Sequence, residues 1–200
     1  MGVKQSYDKG IMLWSTWYVN VNQEMIIKGG PQMSGKSSNE QETYKVHPIG
    51  YVRRLTDEIH LEIEEPYRPG LKQLEHFSHV MVLWWADQMD TEEFRRLMQC
   101  KPPYAEEHLT GVFATRAEYR PNPVALTTCK ILAVDEQNGI LTIANIDAID
   151  GTPVVDLKAY FPVCDRVQEV RIPDWLAGWP NWMPDEGLGF YEEVEEASEA

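Results

Sequence analysis

Two short segments concentrate side chains suited to gripping a small, polyfunctional ligand. The segment Gly111-Val-Phe-Ala-Thr-Arg-Ala-Glu-Tyr-Arg-Pro-Asn-Pro-Val124 carries two arginines, and a guanidinium holds a carboxylate or phosphate through a two-pronged fork. The segment Asn145-Ile-Asp-Ala-Ile-Asp-Gly-Thr-Pro-Val-Val-Asp-Leu-Lys158 sets Asp147, Asp150 and Asp156 around a Gly-Thr-Pro turn, and ionised carboxylates accept from hydroxyls and amines. Pro121 and Pro123 fix φ and restrict Arg120 and Asn122, so the first of these loops is stiff. Stiff loops holding Arg and Asp in apolar surroundings are where binding sites are built. An Arg–Asp ion-pair network closing one end of a barrel is the other use of the same residues. Residue chemistry alone leaves both open.

Other motif matches carry less. Gly30-Pro-Gln-Met-Ser-Gly-Lys-Ser37 fits the phosphate-loop template GxxxxGK[ST], which requires a helix to follow so that its first amides cradle phosphate. The chain instead continues through polar residues without an apolar stripe to Pro48, so the match is read as a decoy. His76 and His79, beside Glu75, have the spacing of one helical face but lead into a strand, and no further ligands stand at metal-site spacing. No metal is expected, and structural roles are assigned to these histidines. Trp175, Trp179 and Trp182 suit either base stacking or, more commonly, pinning a terminal segment to the fold.

The elements that must position these residues are mostly strands. Val46, Ile49 and Val52 mark a first strand interrupted by Pro48, and Ile59-His-Leu-Glu-Ile63 alternates at period two. Val80-Met-Val-Leu-Trp-Trp85 is a continuous apolar run, expected of a strand buried on both faces. Thr91 to Cys100 reads as a helix, with Thr91 as N-cap, Glu92 and Glu93 in the first turn, and Phe94, Leu97 and Met98 on one face. Strands are expected at 111–114, 126–134, 140–146 and 154–157, with Asn138-Gly139 as a hairpin turn. The expected fold class is mainly β: a small antiparallel barrel with one or two short helices and irregular terminal extensions. Residues 1–43 read as an extension and polar linker, in which Met33-Ser34 is a candidate translation start. Residues 44–173 read as the barrel domain, and residues 174–200 as a Trp-rich, acidic tail.

The chain of 200 residues carries 18 Lys and Arg against 32 Asp and Glu, a net charge of −14. A polyanion-binding surface must therefore be a local patch. The acidity is uneven: residues 174–200 hold eight acids and no Lys or Arg, whereas residues 45–173 hold 14 basic and 20 acidic residues. The longest apolar run, Ile11 to Val19, is far short of the roughly 20 residues a bilayer requires, so no membrane span is expected. Three cysteines, Cys100, Cys129 and Cys164, form no CxxC pair and read as reduced thiols in the cytoplasm.

Three blocks in this order, Gly70-Leu-Lys-Gln-Leu-Glu-His-Phe-Ser-His79, Gly111 to Pro123 and Asp147 to Lys158, resemble the signature segments of the TrmO/TsaA-like family, also called YaeB or VirR-like. The likeness covers residues 44–165 and includes Ile49-Gly-Tyr-Val-Arg53. It implies an antiparallel β-barrel that dimerises, binds S-adenosylmethionine and methylates the exocyclic amine of threonylcarbamoyladenosine beside the tRNA anticodon. By block position, the implied cofactor contacts are Asp87, Gln88, Arg116, Leu126, Asp147, Ala148, Ile149 and Asp150. Asp150 is the first choice for a general base, and Arg53, Arg120, Asn122 and Lys158 for acceptor contacts.

The chain also departs from the family pattern. Only Arg54-Leu-Thr-Asp-Glu58 stands where the long bacterial form has a Pro-Arg-Gln cofactor loop. The family's His-Gln pair reads Asp87-Gln88, RPNP-Ile-Gly ends in Val124-Ala125, and Lys158 is followed by Ala-Tyr where the family has Pro-Tyr. Where the long form has a separate C-terminal domain, residues 174–200 read as a Trp-rich, acidic tail. Two other readings are kept: methylation of a small molecule on the same barrel, and an S-adenosylmethionine-binding module without catalysis. The tRNA reading predicts that Arg53, Arg54, Arg68, Arg95, Arg96 and Arg120 gather at one barrel mouth.

Overall fold

Each barrel strand buries one alternating row of side chains, which is how a short chain covers both the inside and outside of a closed sheet. The computed structural model describes residues 43–184. The phosphate-loop match at Gly30–Ser37, the candidate start at Met33-Ser34 and the terminal acidic run lie outside the described residues. From Val46 onward the described residues belong to one compact unit.

Strands β1 (Gly50–Arg54), β2 (Ile59–Ile63), β3 (His79–Trp85), β6 (Val124–Asp135), β7 (Ile140–Ile143) and β8 (Pro153–Ala159) close an antiparallel barrel in the order β1-β2-β7-β6-β3-β8. The long β6 makes closure possible. Its first half pairs with β3, and its second half pairs with β7 across a bulge at Leu132. Val52, Leu61, Val80, Val82, Trp84, Cys129, Leu141, Ile143 and Val154 fill the interior, and each buried aliphatic side chain contributes about 1.5–3 kcal/mol.

The register defines one end of the barrel. Trp85, last in β3, faces Val124, first in β6; Arg54, last in β1, faces Ile59, which in turn faces Ile143, last in β7. The ends of β1, β3 and β7 and the starts of β2, β6 and β8 therefore meet at a single mouth. The opposite end carries a groove of about 360 Å³ lined by Ile49, Ile63, Leu71, Leu74 and Phe77.

Several expectations need correction. Val80–Trp85 is buried on one face only: Val80, Val82 and Trp84 point inward, while Met81, Leu83 and Trp85 are half-buried, because this strand belongs to a barrel wall and not to a covered sheet. The helix stops early. Thr91 caps α1 (Glu92–Arg96) by accepting from the Phe94 amide at 3.2 Å, but Gln99–Cys100 (β4) then pairs with Thr110–Gly111 (β5). The expected strand at 111–114 is thus two residues of ribbon followed by a 3-10 turn, Val112–Ala114. The strand expected over 140–146 ends at Ile143. The Asn138-Gly139 turn forms as expected: Gly139 has φ +75°, its amide donates to the Asp135 carbonyl, and Asn138 is held by Asp135. A short α2 (Pro162–Asp165) follows β8. Beyond it, Trp175 stacks on Tyr104 with centroids 5.8 Å apart and Trp179 meets the same ring edge-on at 5.1 Å, so these two tryptophans pin the segment after the barrel.

Candidate functional site

The loops at the barrel mouth collect most of the expected cofactor residues from four separate chain segments. Asp87 and Gln88 sit in a 3-10 turn directly after β3, with the preceding Ala86 amide donating to the Pro123 carbonyl at 2.8 Å. Arg116 lies on the loop entering β6 and donates from Nη1 to the Leu126 carbonyl at 2.9 Å. Asp147, Ala148, Ile149 and Asp150 form the loop between β7 and β8. Leu126 and Ile149 leave 38% and 40% of their surfaces exposed there, which is apolar surface available to a ligand.

The stiffness expected of the arginine loop has a physical source beyond its prolines. Arg120 donates to the carbonyls of Val112, Thr115 and Ala117 at 2.8–3.0 Å, and the Thr115 hydroxyl donates to Val112. Arg95 of α1 adds a bond to the Pro121 carbonyl at 2.8 Å while paired with Asp90. The loop is tied from inside and from outside.

Arg54 does the same for the aspartate loop. Its backbone amide donates to Asp150 Oδ1 at 2.9 Å, and its guanidinium donates to the carbonyls of Ala148 at 2.8 Å and Ile146 at 2.5 Å. The β1–β2 connection beside it is a tight turn closed by the Leu55 amide on the Glu58 carbonyl. Residues 55–58 alone join the two strands there.

Asp147 is half-buried, and burial pushes its carboxyl above the usual range, opposed by the Thr127 hydroxyl and by Arg116 and Arg54. Glu118, which has no signal of spacing or motif in the sequence, faces Asp147; burial and that carboxylate push it up to about 7. The buried Cys129 thiol is also pushed up, by burial and then by Asp147. Carboxyl groups, a guanidinium and exposed apolar side chains thus share one mouth.

The expected acceptor contacts are not gathered in the same way. Arg53 faces outward and pairs with Glu62 at 2.9 Å. Arg120 is engaged on three carbonyls, and Asn122 is exposed beside it. Lys158 lies along β8 opposite Met81, away from the mouth, on Asp156 at 2.7 Å. The predicted arginine patch does not form among the described residues. Arg53, Arg95 and Arg96 are paired with acids, and Arg68 bonds the Ile63 and Gln137 carbonyls at the other end of the barrel. Away from the mouth, His79 bonds the Ser78 hydroxyl at 2.9 Å and rests edge-on against Tyr160. Among the described residues no group of three or more His, Cys, Asp or Glu side chains is arranged to hold a metal ion, and no helix is long and apolar enough to cross a membrane.

Comparison with known proteins gives this arrangement its relatives. An S-adenosyl-L-methionine-binding protein of Archaeoglobus fulgidus is 35% identical over 119 residues, covering 59% of this chain and 81% of its own. The tRNA (adenine(37)-N6)-methyltransferase of Escherichia coli is 31% identical over 150 residues, covering 73% of this chain and 61% of its own. Two further archaeal relatives, from Archaeoglobus fulgidus and Pyrococcus abyssi, match at 36% and 37% identity, and the chain spans 30% and 59% of their lengths. The crystal structure of TrmO from Pseudomonas aeruginosa superposes with a TM-score of 0.52 at 31% identity, over 66% of this chain and 62% of that one. The sequence model for the tRNA-methyltransferase O N-terminal domain matches residues 44–166, the stretch that builds the barrel and its mouth, and the chain belongs to that family.

Proposed function

We propose that this chain is an S-adenosylmethionine-dependent methyltransferase whose acceptor is the exocyclic amine of threonylcarbamoyladenosine in the tRNA anticodon loop. The observation that carries the cofactor reading is the convergence of Asp87, Gln88, Arg116, Leu126 and Asp147–Asp150 at one barrel mouth. The donor set suits the ligand. Arg116 would hold the methionine carboxylate, Asp147 or Asp150 the ribose hydroxyls or the amino group, and Leu126 and Ile149 the adenine face. When bound, the cofactor supplies an electrophilic methyl group on a positively charged sulfur. The chain's own contribution is alignment of an in-line displacement, where positioning supplies most of the rate.

A conjugated exocyclic amine is a weak nucleophile, so removal of its proton belongs in the mechanism. Asp150 is assigned this role, through Oδ2, because Oδ1 already accepts from the Arg54 amide. Glu118 is the rival, favoured by a carboxyl pushed up to about 7. Substitution separates them. Asp150→Asn that keeps full turnover with intact cofactor binding discards Asp150. Glu118→Gln that lowers turnover and removes an inflection near pH 7 from the rate profile, with cofactor binding intact, promotes Glu118.

The acceptor is supported by the Escherichia coli relative, and the engaged arginines favour the small-molecule acceptor as the second reading. A cytoplasmic homodimer belongs to the same proposal: Cys100, Cys129 and Cys164 are free thiols, and light scattering measures the assembly. The test is mass spectrometry of nucleosides from tRNA incubated with protein and S-adenosylmethionine, beside a metabolite screen. A methylated threonylcarbamoyladenosine is expected. Methylation only in the metabolite screen replaces the acceptor. Calorimetry without binding at millimolar S-adenosylmethionine overturns both enzyme readings, and binding without methylation leaves a binding module.

A further inference from the structure

Inside the barrel, just below the mouth, three side chains from β3, β6 and the β7–β8 loop form a hydrogen-bonded line. Trp84 Nε1 donates to Thr127 Oγ1 at 3.1 Å, and Thr127 Oγ1 donates to Asp147 Oδ2 at 3.3 Å. The direction of this line is fixed by chemistry. An indole N–H is only a donor, so the Thr127 oxygen must accept from Trp84. A hydroxyl has one proton, and with the indole filling a lone pair that proton is aimed at Asp147.

The surroundings make the line rigid. Trp84 is 4% exposed and Thr127 6%, so water does not compete for either group. Both project from the inward rows of adjacent strands, with Trp84 opposite Ala125 and Thr127 opposite Val82 in the β3–β6 ladder. Asp147 lies on the β7–β8 loop that Arg54 ties to β1, and the Thr127 hydroxyl reaches its Oδ2 from inside the barrel. The groups facing it are Glu118 and Arg116 from the loop before β6, Arg54 from β1 and Cys129 from β6.

We propose that Thr127, oriented by Trp84, is a positioning residue that sets the direction in which Asp147 presents its carboxylate to a hydroxyl- or ammonium-bearing ligand at the mouth. This rests on the reading of the mouth as the cofactor site. It deepens that reading by placing a determinant of ligand orientation in the barrel wall, on β6, behind the loops that touch the ligand. A hydroxyl at position 127 is therefore required, while its methyl group is not.

The experiment compares Thr127→Val, which keeps the shape and removes the hydroxyl, with Thr127→Ser, which keeps the hydroxyl. Carbon-detected NMR follows the titration of the Asp147 carboxyl, proton NMR follows the Trp84 indole N–H, and calorimetry measures the Kd for S-adenosylmethionine. Thr127→Val is expected to raise the Asp147 midpoint by about one pH unit, as loss of a hydrogen bond to the charged form requires. It is also expected to move the indole resonance and weaken binding about tenfold. Thr127→Ser restores all three. A folded Thr127→Val protein with an unchanged Asp147 titration overturns the proposal, as does failure of Thr127→Ser to restore it. If the wild type binds no S-adenosylmethionine while Thr127→Val still shifts Asp147, the positioning role stands and the cofactor reading fails.

Discussion

The backbone amide of Arg54 lies 2.9 Å from Asp150 Oδ1, joining the last residue of β1 to the loop that precedes β8. The same residue's guanidinium reaches two carbonyls of that loop, at Ile146 and Ala148. One residue therefore holds the aspartate loop through both its main chain and its side chain.

Replacing this clasp with Arg54→Lys leaves a point charge where a planar fork spanned two carbonyls. A stability loss of about 1–2 kcal/mol is expected, since hydrogen bonds from charged donors contribute about 1.5–3 kcal/mol each and lysine retains part of one. Urea denaturation measures it as a lower midpoint at constant m-value. The bond from the main-chain amide of position 54 to the Asp150 carboxylate survives the substitution, so the loop loosens without detaching.

Glu118 gives the protein a pH dependence of definite sign. Its folded carboxyl is pushed up to about 7 from the ordinary value of 4.5, so the folded state binds the proton more tightly than the unfolded chain. Stability therefore falls as pH rises from 4.5 towards 7, and the cost is fully present above 7. Glu118→Gln is expected to raise the Tm at pH 8 by about 2–4 °C, corresponding to about 1 kcal/mol, with the gain vanishing near pH 4. An equal gain at both pH values contradicts the assignment.

Arg116 is expected to act on one part of the cofactor only. Arg116→Ala should weaken S-adenosylmethionine about tenfold to a hundredfold, the loss appropriate to a charge-assisted pair. Methylthioadenosine, which keeps the nucleoside and lacks the carboxylate, should bind the variant and the wild type alike. Calorimetry with both ligands separates a lost contact from a collapsed site.

At the far end of the barrel, Gly139 has φ +75°, and a Cβ there would come within 2.5 Å of the Ile63 carbonyl oxygen. Gly139→Ala combines a left-handed backbone cost of about 1–2 kcal/mol with a backbone clash. A loss of at least about 2 kcal/mol in denaturation is expected. Cofactor affinity should be unchanged in the folded fraction, because the mouth is at the other end.

Local patterns were legible where local physics decides. Ile59–Ile63 alternates in the sequence and forms a strand with those bounds, and Thr91 caps its helix as its residue type predicts. The length of that helix was not legible, because Gln99 and Cys100 are drawn into a ribbon by Gly111 and Thr110, further along the chain. The half-exposure of Met81, Leu83 and Trp85 follows from barrel closure, which no window of sequence contains.

For the site, Arg116 and Asp147–Asp150 were legible as residue types on stiff loops and by family resemblance. Glu118 was not, since a single Glu in a polar loop has no pattern and its environment comes from Asp147, far away in the chain. Arg54 was visible as a charge but not as a clasp, because its partners are backbone carbonyls 92 and 94 residues distant.

The arginines of the described residues bear on encounter kinetics. Arg120 and Arg54 are turned onto carbonyls and Arg53, Arg95 and Arg96 onto acids, so these five offset little of the net charge of −14 toward an approaching polyanion. Approach to a polyanion is then opposed by long-range repulsion, which salt screens. If the acceptor is tRNA, as proposed, its association with this chain is expected to accelerate as salt is raised from low concentration, the reverse of the slope that phosphate-gripping proteins display.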